Sequence, residues 1–231
     1  MTRSRLGLLG LCAAVFAVMA FNVASAQAAN EWLILTSGGV VKTAAELSPT
    51  IGGELEGSHG ILLTNILGVP VEILCGEGTL IGVKLEAGGT LTNGGKVQFT
   101  ECSVKLEGEE APECEPHSAG KPVGTIESKA GKGELGLHEG KIITTITPSV
   151  GEEFVNIEMG ACPIGANVPI KGKLVIEDCE GKAAQHLVIH LIEEEEVLTT
   201  LKALGEPATI DGSALIFLTG EHLNRPWGAM A

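Results

Sequence analysis

The chain has 231 residues and carries 29 acidic against 15 basic side chains, a formal charge of −14. A surface this acidic repels phosphate backbones and anionic membranes, which excludes nucleic acid and acidic lipid as expected partners. With five phenylalanines, two tryptophans and no tyrosine, it has neither the aromatic platforms of sugar and single-strand binders nor the aromatic girdles of outer-membrane barrels.

Met1–Ala26 reads as a cleavable signal-peptide helix. Arg3 and Arg5 supply a positive start, and Leu6 to Phe21 is an apolar run of about 16 residues, short for a membrane span. Ala24-Ser25-Ala26 then offers small residues at a cleavage site, with Ala26-Gln27-Ala28 a second; a retained anchor is the alternative. Cys12 follows Leu11 where lipoprotein processing needs a small residue, so lipidation is not expected. Cleavage removes two arginines and no acid, making the remainder still more acidic. No later run of about 18 apolar residues follows, so no integral membrane insertion is expected after cleavage. Residues 27–231 are expected to form a single β-rich domain, or two half-sandwiches meeting near residue 160.

Beyond the signal, apolar and polar residues alternate over short runs bounded by glycine and proline. The predicted strands are Trp32–Thr36, Val40–Thr43, Glu54–Glu56, Ile61–Ile66, Val69–Cys75, Thr79–Leu85 and Lys96–Cys102. They continue with Thr125–Lys129, Lys141–Thr147, Phe154–Glu158, Pro169–Asp178, Gln185–Ile192 and Ala214–Thr219. Thirty-two glycines argue against long helices, where each costs about 1 kcal/mol relative to alanine. Thr36–Val40 and Thr92–Gly95 are predicted hairpin turns. Glu107–Pro122 is predicted as a loop, Thr209–Ser213 as a turn and Asn224–Trp227 as a tail. Ala183–Leu204 is ambiguous, with a strand favoured as far as Ile192. The fold class expected is all-β, with sandwich or barrel-like antiparallel sheets. Gly95–Cys102 and Gly172–Cys179 echo each other in order and polarity, which half-sandwich duplication or chance would both produce.

Five cysteines follow the signal: Cys75, Cys102, Cys114, Cys162 and Cys179. In an oxidising compartment they are expected to form two disulfides and leave one thiol. Cys102–Cys114 is the first expected pair; the second is Cys75–Cys162 or Cys162–Cys179. No pair has the close spacing that lets one turn present two thiolates to zinc.

The motifs that could carry chemistry read as structure. His186 and His190 would share a metal on a helix, but Leu187 stands where a zincin needs glutamate. On a strand they lie about 13 Å apart. Glu193–Glu196 and the Glu107–Glu115 cluster lack the short ligands of a calcium loop, since Asp178 and Asp211 are the only aspartates. Gly57-Ser58-His59-Gly60 and His117-Ser118-Ala119-Gly120 place serine beside histidine, whereas a nucleophile and its base are normally assembled from separate segments. No catalytic residue, metal ligand or cofactor is assigned.

The pattern Phe99-Thr100-Glu101-Cys102, Cys114, Gly124-Thr125-Ile126-Glu127, Gly151-Glu152-Glu153-Phe154 and Cys162 resembles uncharacterised exported β-rich proteins of actinobacteria. The resemblance spans Val69 to Gly172 and brings no known activity. It implies a shared framework of Cys75, Cys102, Cys114 and Cys162, which favours Cys75–Cys162 as the second bridge. The function expected is an exported structural or interaction module, secreted or associated with the cell envelope, with a protein or envelope component as partner. One alternative is a barrel carrier of a small apolar ligand, requiring an enclosed cavity of about 300 Å³ or more. The other is a secreted hydrolase, requiring a cleft where His and Glu converge.

Overall fold

Antiparallel strands supply nearly all the regular structure, as the alternating pattern predicts. The structure, a computed structural model, describes residues 30–178, 189–195 and 198–231. The expected signal helix, Cys179 and His186 lie outside these residues.

Strands β1 (Glu31–Leu35) and β2 (Val41–Thr43) precede a helical turn, α1 (Ala44–Leu47). Four strands then carry much of the fold: β3 (Ile51–Ile66), β4 (Val69–Ile81), β6 (Thr90–Leu106) and, near the C-terminus, β17 (Glu206–Leu218). Between β4 and β6 lies the short β5 (Leu85–Glu86). After β6 come β7 (Glu109–Glu110), β8 (His117–Ser118), β9 (Ile126–Glu127), β10 (Gly131–His138) and β11 (Lys141–Pro148). They are followed by β12 (Glu153–Glu158), β13 (Asn167–Lys171), β14 (Leu174–Asp178), β15 (Ile189–Glu194) and β16 (Lys202–Ala203), and β18 (Trp227–Met230) ends the chain.

The long strands run through glycines that the sequence reading takes as ends, because those glycines lie under large cross-strand side chains. Gly52 faces Phe217 and Gly53 faces Ile216. A Cβ at Gly52 would stand 2.8 Å from Phe217 Cε2, and one at Gly53 would stand 2.7 Å from Ile216 Cδ1. Gly78 lies opposite Phe99 in the same way, with 3.2 Å to its ring. The glycines therefore make room for bulk rather than breaking the ladder. So Glu54–Glu56 and Ile61–Ile66 are one strand, and so are Val69–Cys75 and Thr79–Ile81, the rest of the predicted Thr79–Leu85 strand leaving β4, with Leu85 in β5.

Other expectations are corrected on the same ground. Thr92–Gly95 is not a hairpin turn but part of β6, with Gly95 paired to Gly131 and a would-be Cβ 2.7 Å from Val83. Thr209–Ser213 lies inside β17, with a register shift between Asp211 and Ser213. Pro169–Asp178 is two strands, parted at Gly172, whose φ of 116° departs from a strand conformation. Trp227 opens β18 rather than ending a tail. The Thr36–Val40 hairpin is as predicted, with Gly39 N–H donating to Thr36 O at 2.9 Å.

Hydrogen-bonded neighbours close on themselves twice. One ring runs β3-β4-β6-β10-β11-β14-β15-β17 and returns to β3 through the β15–β17 and β17–β3 ladders. The other leaves the shared strands as β17-β16-β13-β12-β8, and β9 pairs with β6. Ser118 joins its ends: its N–H donates to Thr125 O at 3.0 Å, and its hydroxyl accepts from Glu127 N–H at 2.8 Å. Strands β3, β4, β6 and β17 thus serve both rings. Where one ring gives way to the other, β3 bulges between Glu54 and Gly60, a device that bends and re-aims a strand.

Each ring has its own core. Lobe A, the β8–β9 ring, encloses Val71, Ile73, Val104, Ile157, Val168 and Ile170, none more than 5% exposed. Lobe B, the β10–β15 ring, packs Ile216, Leu218 and Leu135 against the small sheet β18-β1-β2. That sheet contributes Trp32 and Trp227, whose ring centres lie 5.8 Å apart.

Candidate interaction surface

The cysteines assigned to bridges from sequence are the bonded ones, but their partners differ. Cys75 pairs with Cys102, and Cys114 with Cys162, which overturns Cys102–Cys114 and both options for the second bridge. Cys75 and Cys102 are direct neighbours across the β4–β6 ladder. The Cys102 N–H donates instead to Gly124 O at 2.9 Å, leaving the cysteines in the closer, non-hydrogen-bonded kind of pair. Cys114 ends a helical turn whose carbonyl accepts Gly160 N–H at 2.6 Å. That bond holds it against the β12–β13 connection, where Cys162 sits. Both bridges therefore lie in lobe A.

The serine–histidine pair at 117–118 is structural. His117 Nδ1 lies 2.8 Å from Glu115 O, and its Nε2 lies 3.4 Å from Glu158. The neighbouring Ser118 hydroxyl donates to Glu127 O at 3.1 Å while accepting Glu127 N–H, so it is committed to closing the ring. Glu127 is the centre of a small ionic cluster: Lys121 Nζ is 2.5 Å away, and Lys96 Nζ and Gln98 Nε2 are both at 3.1 Å. The lysine hydrogen bonds, Lys121 first, hold its carboxyl below the usual glutamate range. Sequence reading missed this cluster, because nothing in the spacing of Lys96, Lys121 and Glu127 foretells that β9 lies along β6.

The Ser58 and His59 side chains, and that of His190, lie outside the described residues. The Glu107–Glu115 cluster occupies β7 and the turn after it. Among the described residues, no group of three His, Cys, Asp or Glu is placed to hold a metal. A cleft of about 480 Å³ lies over the β3 glycines in lobe B, between Thr79 and Leu80 on one side and Phe217 and Thr219 on the other.

The far end of lobe A carries the most unusual local chemistry. Three two-residue hairpin turns stand there in a row: Glu107-Gly108 joins β6 to β7, Leu67-Gly68 joins β3 to β4, and Leu204-Gly205 joins β16 to β17. In each, both residues have positive φ, 52° and 84°, 54° and 86°, and 52° and 91°. This is the geometry of a type I′ turn, which favours Asn-Gly or Asp-Gly. A leucine held left-handed is disfavoured by roughly 1 kcal/mol, and here two are. Nor are they sheltered, since Leu67 is 85% and Leu204 42% exposed. The register of β17 against β3, Ala208 opposite Thr64, sets these two tips side by side.

No protein-family model matches this chain, and no curated protein or solved structure matches it.

Proposed function

We propose that the protein is an exported, non-enzymatic interaction module of the cell envelope or extracellular space, docking through the far end of lobe A. The observation that carries this reading is the pair of exposed leucines at Leu67 and Leu204. The turn geometry disfavours leucine at both, and Leu67 buries little in the chain itself while Leu204 stays 42% exposed. Strain kept at an exposed position points to use. The core beneath supports such a use, because Ile66 and Ala203, immediately before the two turns, are buried at 1% and 0% exposure and seat the tips on a packed base. The two disulfides brace the same lobe and are compatible with an oxidising compartment.

Site-specific photo-cross-linking tests the docking claim. A photoreactive residue at Leu67 should give one discrete adduct in the envelope or secreted fraction, and the same probe at Val150, also 85% exposed, should give none. Equal labelling at both positions would reject it. N-terminal sequencing tests the export claim, which falls if the protein recovered from cells is cytosolic and begins at Met1.

A further inference from the structure

Building on that docking reading, we infer that the partner is a polypeptide surface whose apolar side chains are flanked by lysine or arginine, bound across the three hairpin tips of lobe A. The tips interleave carboxylates with the two leucines. Strand order β6-β4-β3-β17-β16 sets Glu107 on the β6 side, then Leu67 after β3, Glu206 at the start of β17 and Leu204 after β16. Glu109 follows Glu107 on the same flank. Adjacent hairpins stand about 10 Å apart, two strand spacings, so leucines and carboxylates fit within reach of one short segment of a partner.

These carboxylates are uncompensated. Glu107, Glu109 and Glu206 are exposed, and none has a cation within ion-pair distance among the described residues. Of the cations nearby, Lys105 lies 3.6 Å from Glu110, and Lys202, exposed, stands one residue pair behind the Leu204 turn on β16, opposite Lys171. Leucines interleaved with carboxylates select against anionic lipid and acidic protein, and attract a basic surface that also offers aliphatic anchors. Leucine contacts supply the desolvated area, and the carboxylates speed encounter and set salt dependence.

The test uses the full-length mature chain and defined probes. These are a short amphipathic leucine–arginine peptide, the matching leucine–glutamate peptide, and neutral and anionic phospholipid vesicles. Binding by titration calorimetry at low and physiological salt should favour the leucine–arginine peptide. L67N/L204N, whose asparagines suit both turns, should lose about tenfold in affinity with its net charge unchanged. E107Q/E109Q/E206Q should lose a comparable factor, most of it at low salt, whereas E134Q/E139Q/E152Q, exposed carboxylates elsewhere, should change affinity less than twofold. Equal loss in the two glutamine triples would overturn the inference by showing that overall charge alone binds the peptide. Leucine-dependent binding to vesicles or to the acidic peptide in preference would overturn the partner's chemistry and leave the docking end standing. If the leucine–arginine peptide bound L67N/L204N as tightly as the parent, the partner chemistry and the docking end would both fall.

Discussion

Lobe A and lobe B share four long strands and are completed in opposite ways. Lobe B adds β10 and β11, eight residues each, with β14 and β15 of five and six. Their ladders alone can hold a ring, and the two-tryptophan sheet caps it. Lobe A closes through β8, β9 and β16, of two residues each. So short a strand gives few ladder bonds against the chain entropy of ordering it. Both disulfides sit in that lobe, bridging 27 and 48 residues of sequence. The comparison teaches where a covalent brace adds closure: Cys114–Cys162 ties a turn to the β12–β13 connection beside the two-residue strands, whereas Cys75–Cys102 lies within the long β4–β6 ladder.

The largest expected effect follows from removing the brace that ties the 112–114 turn to the β12–β13 connection. C114A/C162A should lose about 4 kcal/mol by the loop-entropy estimate, a large share of the stability of an ordinary domain. The loss should be local. Hydrogen exchange should accelerate in 112–127 and 153–171 and stay slow in 131–148. The chain's two tryptophans both lie in the lobe B cap, so intrinsic fluorescence reports that lobe alone. Its unfolding transition should move less than the one followed by far-ultraviolet circular dichroism. Coincident shifts would show that the two lobes melt as one.

The reciprocal experiment removes the cap. Trp227 is 1% exposed and stacks at a tilt on Trp32. Trp227→Ala should cost about 3 kcal/mol through lost burial and the cavity left behind. Exchange should now quicken in β10, β11 and β1, with 153–171 protected as before. Faster exchange in both lobes would mean that the shared strands transmit the damage, and the contrast between ladders and bridges would lose its force.

How much of this was legible from residues alone depends on which contacts are local. The Thr36–Val40 hairpin was, because its glycines act within one turn. Alternation found most strand centres for the same reason. Strand ends were lost where glycine faced a partner far along the chain: Gly52 under Phe217 looks identical in sequence to a breaker. Alternation also held an unused clue to the disulfide. Val71, Ile73 and Cys75 share one parity, and so do Cys102, Val104 and Leu106. Two inward-facing apolar runs bounded by cysteine are what a cross-strand bridge between neighbours requires. Sequence proximity of Cys102 and Cys114 pointed elsewhere, because it says nothing about which side of β6 the acidic turn returns to. The leucine tips were invisible for a different reason. Leu67-Gly68 and Leu204-Gly205 become unusual only once positive φ and exposure are known.

The smallest expected effect is acid-dependent and belongs again to lobe A. Glu127 links β9 to β6, and its carboxyl is held below the ordinary range chiefly by the Lys121 hydrogen bond and then by Lys96. Its folded pKa lies below the unfolded one. Its contribution is therefore complete above the unfolded value of about 4.3 and is lost as pH falls through the lowered folded value. At 15% side-chain exposure, and with the lysines partly in water, screening keeps that contribution small. Glu127→Gln should leave the chain less stable at neutral pH and flatten its decline between pH 5 and the acid limit. Tryptophan fluorescence from lobe B should hardly register the change. A parent protein whose acid unfolding began in the tryptophan cap, with exchange in 117–127 unaffected, would show that the weaker closure is not in lobe A. It would also mean that the Cys114–Cys162 bridge answers some demand other than short strands.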